Sequence, residues 1–105
     1  MPGSEVPSFE FTAVLTRWDA NPAVRLVTVP PEVGEIVRIV GGPPRGFGSV
    51  RVEARIGATV WRTSIFPIGG DGGFVLPLKA AVRKAQSLED GDMVTAVIAL
   101  VDAGD

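Results

Sequence analysis

Residues 49–65 carry the pattern that most constrains this chain, an alternation of apolar and polar residues on both sides of Gly57-Ala58. Alternation with a period of two is typical of a half-buried strand, and a two-residue turn that begins with glycine is typical of a type II′ hairpin. Such a turn fixes the register, so Ala54 is predicted to face Trp61. One face of the hairpin is therefore predicted to be core, and the other carries Glu53 among arginines.

Other apolar runs predict the remaining strands, at 9–16, 24–29, 74–76 and 94–101. The run at 24–29 is dense in β-branched residues, and the last run is apolar and is expected to be central in the sheet. With the two arms of the hairpin, the sequence predicts about six strands.

Two prolines are expected to open short helices, because the first helical turn does not need the missing N–H. The first helix follows Pro30-Pro31, and the second follows Pro77. The predicted buried stripes are Val33, Ile36, Val37 and Val40 in the first helix and Leu78, Ala81, Ala85 and Leu88 in the second.

Cysteine, histidine and tyrosine are all absent from the 105 residues. Disulfides, Cys/His zinc sites and Ser-His-Asp or Cys-His catalytic arrangements are therefore excluded. The net charge of −2 does not favour nucleic-acid binding. We expect no metal, no cofactor and no catalytic residues, although an enzyme is not excluded.

The length fits one domain, predicted over residues 9–101, with a flexible N-terminal tail at 1–8 and a C-terminal tail at 102–105. The opening residues lack the basic and apolar regions of a signal peptide, and no apolar run reaches the ~20 residues of a membrane span. A cytoplasmic location and no membrane contact are expected.

A weak internal echo bears on the architecture. Residues 27–30 and 74–77 share one pattern, and each is followed by a short helix, a glycine-containing loop and a strand. Two such halves are predicted to interleave into a closed barrel, which would remove exposed sheet edges. The expected fold is therefore mostly β, a small closed barrel with two short helices and duplicated halves.

Three segments, at 46–52, 61–67 and 73–85, resemble the domain-of-unknown-function family 1905. The opening residues 9–13 and the closing residues 88–92 fit it too, so the resemblance covers about residues 9 to 101. It implies a double-split β-barrel and brings no established activity.

Residues 82–92 are also distantly similar to the helix and turn of swapped-hairpin transition-state regulators and antitoxins. Those proteins are dimeric DNA binders built from a half-length chain. The likeness implies that both halves of such a dimer lie within this one chain.

Candidate binding residues are mostly basic and lie in the middle of the chain: Arg45, Arg51, Arg62, Ser64, Lys79, Arg83 and Lys84. Together they predict a basic face that contacts phosphate or another anion. The alternative is a solvated face with local ion pairs such as that of Glu53 with Arg62.

Aromatic residues offer a second set of candidates. Trp61 and Phe66 are candidate pocket aromatics, and the alternative places Trp61 in the core. Trp18, beside a turn, is expected to be the more exposed tryptophan. The glycine-rich segments 41–48 and 69–73 lack a nucleotide-binding motif and are expected to be ordinary loops.

These observations favour a non-catalytic binding module for a small anion, a nucleic acid or a protein partner. The alternatives are a small-molecule enzyme or shape-driven cyclase with its site in the barrel mouth, and a structural or oligomer-forming role. The sequence leaves monomer and homodimer open.

Overall fold

The computed structural model describes residues 7–40, 48–68 and 73–101. The elements in these ranges are β1 (Ser8–Val14), β2 (Thr16–Trp18), β3 (Asn21–Val29), α1 (Pro31–Val40), β4 (Val50–Ile56), β5 (Thr59–Ile68), β6 (Gly73–Pro77), α2 (Ala80–Ala85) and β7 (Met93–Leu100). The predicted mostly β class with two short helices is confirmed. Most of both predicted tails and most of the two glycine-rich segments, namely 1–6, 41–47, 69–72 and 102–105, lie outside the described residues.

The strands form one antiparallel sheet in the order β1-β7-β4-β5-β6-β3-β2. Strand β7 lies between β1 and β4, so the last strand is an inner strand, although it lies next to the outer strand β1. The sheet curves into an open half-barrel whose outer strands are β1 and β2. In the described part of the chain these two strands form no ladder with each other, so closure of the barrel stays a prediction.

The hairpin of β4 and β5 has the predicted register at every position from Val50↔Ile65 to Ile56↔Thr59. Gly57, the first turn residue, has a φ of 58°, which an L side chain rarely adopts. This positive φ matches the twist of the flanking strands, so the local turn chemistry sets the register.

The predicted first strand is two strands, which raises the count from six to seven. Leu15 divides them: its N–H donates to the Asp92 carbonyl at 2.8 Å, and its carbonyl accepts from the Gly91 N–H at 2.9 Å. Because the turn before β7 takes both backbone groups of Leu15, β1 pairs with β7 while β2 pairs with β3.

The two segments of the internal echo lie side by side. Strands β3 and β6 pair antiparallel from Leu26↔Pro77 to Val29↔Phe74. The strands that follow the two helices, β4 and β7, also pair with each other. Strands of each half therefore pair with strands of the other half, and neither half forms a complete sheet alone.

The core lies on the concave side of the sheet. Fully buried side chains come from β3 to β7 and from Leu15 between β1 and β2; among them are Val29, Val52, Ile65, Leu76 and Ile98. The predicted inward face of the hairpin is confirmed, since Trp61 is only 9% exposed and packs in this core.

The second helix differs from the prediction in its start and its buried face. Pro77 still belongs to β6, and the Leu78 N–H donates to the Arg25 carbonyl at 2.9 Å, so the chain stays tied to β3 until the helix begins at Ala80. Leu78 is buried and Leu88 half-buried as predicted, but Ala81 and Ala85 are exposed. Val82 faces the core instead. The buried face differs from the prediction because the helix starts later, at Ala80, and so turns a different side toward the sheet.

The buried stripe of α1 is narrower than predicted. Val37 is buried and Val33 half-buried, but Ile36 and Val40 are exposed, because the helix rests on the sheet along the line of Gly34 and Val37. Neither helix in the described ranges has the length and apolar character needed to cross a bilayer.

Replacing Gly57 with alanine is expected to destabilise the protein by about 1–3 kcal/mol, because alanine is strained at this φ. A Cβ there would also lie 2.7 Å from Oε1 of Gln86. Urea unfolding of G57A, Q86A and the double variant separates the two effects, since only the steric part disappears when Gln86 is shortened. An unchanged midpoint for G57A would contradict the turn assignment.

Val82→Ala tests the corrected face of α2. It removes two buried methyl groups and is expected to lower the free energy of unfolding by about 1–3 kcal/mol. Ala81→Ser, one residue earlier and exposed, is the matched control and is expected to change it by less than about 0.5 kcal/mol. Urea denaturation followed by circular dichroism measures both, and the reverse order of effects would restore the original stripe.

Candidate functional site

A gap in the sheet arises where β5 changes its neighbour. Residues 59–65 of β5 pair with β4, but only Phe66–Ile68 pair with β6. Strand β6 then runs along β3. In the described part of the chain, the earlier half of β5 therefore has no strand on its second edge, and β3 and β5 diverge there.

The segment from Leu78 to Gln86, here called the α2 segment, lies across this gap and is hydrogen-bonded to a strand at each end. Leu78, just before the helix, is hydrogen-bonded to Arg25 of β3. Gln86, at the helix end, donates from Nε2 to Oγ1 of Thr59 in β5 at 2.9 Å. The helix thus bridges the two diverging strands.

Between these elements lies a cavity of about 460 Å³, here called the basic cleft. Four cationic side chains line it, Arg25 from β3, Arg62 from β5, and Lys79 and Arg83 from the α2 segment. Trp61 also contributes to its wall. No carboxylate is among the described residues that line it.

Two of the four cations have carboxylate partners outside the cleft. Nε of Arg25 lies 2.6 Å from Oδ1 of Asp90, and Nε of Arg62 lies 3.8 Å from Oε1 of Glu53. The first pair is close and partly buried on the arginine side, whereas the second is long and exposed. An exposed pair of this kind contributes little and leaves Arg62 available to a ligand.

The other two cations have no carboxylate within 4.0 Å in the described ranges. Arg83 donates from Nε to the Leu78 carbonyl at 3.0 Å, which fixes its guanidinium and leaves the terminal nitrogens free of described partners. Arginine in this arrangement can bind a carboxylate or phosphate through two parallel hydrogen bonds.

A second cavity, here called the apolar groove, adjoins the basic cleft and measures about 390 Å³. Its described lining is entirely apolar and includes Trp18, Leu26, Phe66, Ile68 and Val75. Trp18 is 46% exposed and Phe66 43% exposed, which confirms Trp18 as the more exposed tryptophan.

The structure brings part of the predicted site together. Trp61, Arg62, Lys79 and Arg83 share the basic cleft. Phe66 lies in the apolar groove instead.

Other predicted site residues lie elsewhere. Arg51 and Ser64 face each other on the outer side of the hairpin, away from the core. Lys84 lines a shallow depression beside Glu89, and Arg45 lies outside the described residues.

The predicted site did not include Arg25, and Trp18 was predicted to be exposed but was not placed in the site. Arg25 stands in a run of β-branched residues and Trp18 beside a turn, so neither carries a local signal of a site. Arg25 and Trp18 line their cavities only because β3 pairs with β2 on one side and with β6 on the other.

Asp90 forms ion pairs with two arginines, one of which, Arg25, lines the basic cleft. It accepts from Arg25 and, at 3.4 Å, from Nη2 of Arg17. The hydrogen bond from Arg25 is the main cause that holds the pKa of Asp90 below its ordinary value, and the charges of both arginines act in the same direction. Arg25 also donates to the Pro22 carbonyl, so its position is fixed from two sides.

Potential metal ligands do not gather in the part of the chain that the structure describes, where no group of three Asp or Glu side chains could hold an ion. The described lining of the cleft offers cations, the Thr63 hydroxyl and an aromatic residue.

These features define a class: a small, mostly β domain whose sheet opens onto a basic cleft beside an apolar groove. The profile of the family described as Domain of unknown function (DUF1905) matches residues 11–98. The chain belongs to this family. No curated protein matches it.

Acid is expected to destabilise the protein partly through Asp90. Because the pKa of this carboxyl is lower in the folded than in the unfolded chain, its ion pairs stabilise the fold above the unfolded pKa. That contribution is lost as the pH falls through the folded pKa. The difference in urea midpoint between wild type and Asp90→Asn should therefore shrink between about pH 7 and about pH 3.

Glu10→Gln is the matched control for this measurement. It removes an exposed carboxylate of β1 that has no ion pair in the described ranges. Its removal is expected to change the urea midpoint only slightly, as for an exposed charge without a partner. A constant difference for Asp90→Asn over the same pH interval would show that the ion pairs do not contribute to stability.

Proposed function

We propose that this chain is a non-catalytic binding module for a small organic anion held in the basic cleft. The observation that carries the proposal is the composition of the cleft wall, which has four cations and no carboxylate among its described residues. Two of these cations, Lys79 and Arg83, have no carboxylate partner in the described ranges. Concave sites with a few convergent charged groups are typical of small-ligand binding.

The distribution of charge supports a small anion over a nucleic acid. A duplex needs an extended positive surface, whereas the net charge here is −2. On the outer face of the hairpin Glu53 stands between Arg51 and Arg55 along β4. Inside the cleft, Lys79 and Arg83 have no carboxylate partner in the described ranges and lie where a compact ligand can reach both. The likeness to swapped-hairpin DNA binders stays a prediction.

The other functions predicted from the sequence stay alternatives. An enzyme would use the same cleft, whose described lining offers Lys79 and Thr63 but no carboxylate. A protein-binding or oligomer-forming role would use the exposed apolar side chains of α1, such as Ile39. Neither rests on a feature as specific as a cleft lined by four cationic residues.

The proposal includes a double-split barrel architecture and a cytoplasmic location. Strand β5 is shared between β4 and β6, and the consecutive strands β1 and β2 are the outer strands of the sheet. This pattern supports a barrel that the bend at Leu15 completes, with two related halves. Residues 9–101 would then form the single domain.

Inorganic phosphate and acetate are the probes that test the proposed function. Added at low salt to the ¹⁵N-labelled protein, each is expected to shift the indole N–H of Trp61 and the amides of residues 78–83 in a saturable way. Lys79→Ala should weaken this binding about tenfold, because a charge-assisted hydrogen bond is lost.

Arg55→Gln is the matched control, since it removes the same unit of charge from an exposed position outside the cleft. It should change the phosphate affinity by less than about twofold, as expected for an exposed charge. A short DNA duplex should cause no saturable shift at the cleft. The absence of saturable shifts with both anions, or equal losses in the two variants, would overturn the proposed function.

A further inference from the structure

The basic cleft and the apolar groove are neighbours rather than separate sites. Val24 of β3 and Pro77 at the end of β6 line both cavities. The two cavities therefore meet at this pair of side chains, with cations on one side of it and an all-apolar wall on the other. A ligand that crosses this boundary would contact both cavities.

Exposure of the apolar groove to water is unfavourable, because large apolar side chains line it. Trp18, Phe66 and Ile68 are all exposed, although each presents a large apolar surface to this groove. Contiguous apolar patches of this kind on small domains mark places where something binds. The groove volume of about 390 Å³ lies within the usual range of small-ligand sites, about 300–1,000 Å³.

The charge beside the groove decides what kind of molecule fits. Arg62, Lys79 and Arg83 lie beyond Pro77 in the adjoining cavity, and no carboxylate is among the described residues of either cavity. A neutral apolar ligand would leave these cations unused, and a small inorganic anion would leave the groove exposed. A molecule with an anionic group at one end and an apolar body at the other satisfies both halves.

We infer that the two cavities form one site for a free amphipathic organic anion, with its carboxylate or phosphate at Lys79 and Arg83 and its apolar body against Trp18 and Phe66. This inference rests on the proposed anion binding and adds the class of ligand. Burial of the apolar body supplies affinity, and the cations set the orientation.

The two tryptophans allow each half of the site to be followed separately. Trp61 lies in the basic cleft and Trp18 in the apolar groove, so their two indole N–H signals in a ¹⁵N spectrum are local reporters. Octanoate, acetate and 1-octanol are titrated into the wild-type protein. Octanoate should shift both signals and bind at least about tenfold more tightly than acetate, which should shift only Trp61.

A pair of variants on β5 tests the apolar half. Phe66→Ala should weaken octanoate at least about fivefold and leave acetate unchanged, because only the chain contacts this ring. Val60→Ala removes an exposed apolar side chain of the same strand outside both cavities and should leave both affinities unchanged. Ile68→Ala gives a second test of the groove if the phenylalanine variant does not fold.

The outcomes separate this inference from the proposed function. Acetate binding at Trp61 with octanoate no tighter would overturn the inference and leave anion binding intact. No shift of Trp61 with octanoate, acetate or inorganic phosphate would overturn both. Octanol binding as tightly as octanoate, or binding only to anionic vesicles and not to free octanoate, would contradict a site for a free amphipathic anion.

Discussion

Strand β5 changes neighbour at Phe66, and the position and chemistry of the cleft depend on that change. Before Phe66 the strand is held by β4 alone, and after it the strand is held by β6. Because β6 runs on along β3, the first half of β5 is left beside an opening rather than beside another strand. The α2 segment bridges this opening, which places Lys79 and Arg83 around the same cleft as Arg62.

The turn before β7 holds the other wall of the site in place. Gly91 and Asp92 bind the backbone of Leu15, and Asp90 binds the side chains of Arg17 and Arg25. One short turn therefore fixes both the break between β1 and β2 and the direction of an arginine in the basic cleft. A tight, partly buried ion pair is suited to this role, since it limits the rotamers of a long side chain.

The hairpin, and with it the positions of Trp61 and Arg62, could be predicted from the sequence because they depend on neighbouring residues. The register of β4 and β5 depends on alternation and on one glycine, which are properties of neighbouring residues. The inward position of Trp61 and the pairing of Arg62 with Glu53 follow from that register. The face of α2 was predicted wrongly, because its start depends on a hydrogen bond between Leu78 and the distant Arg25.

The sequence alone determined the class of fold, the hairpin register and the set of chemistries that this protein lacks, because composition and short-range periodicity suffice for these. Only the tertiary structure decided which cations converge, since the pairing of β3 with β6 brings Arg25 beside Lys79 across a long stretch of chain. It also decided that Trp18 and Phe66 share one groove. Residues far apart in sequence become neighbours through strand pairing, and no local pattern encodes which strands diverge to leave a cleft.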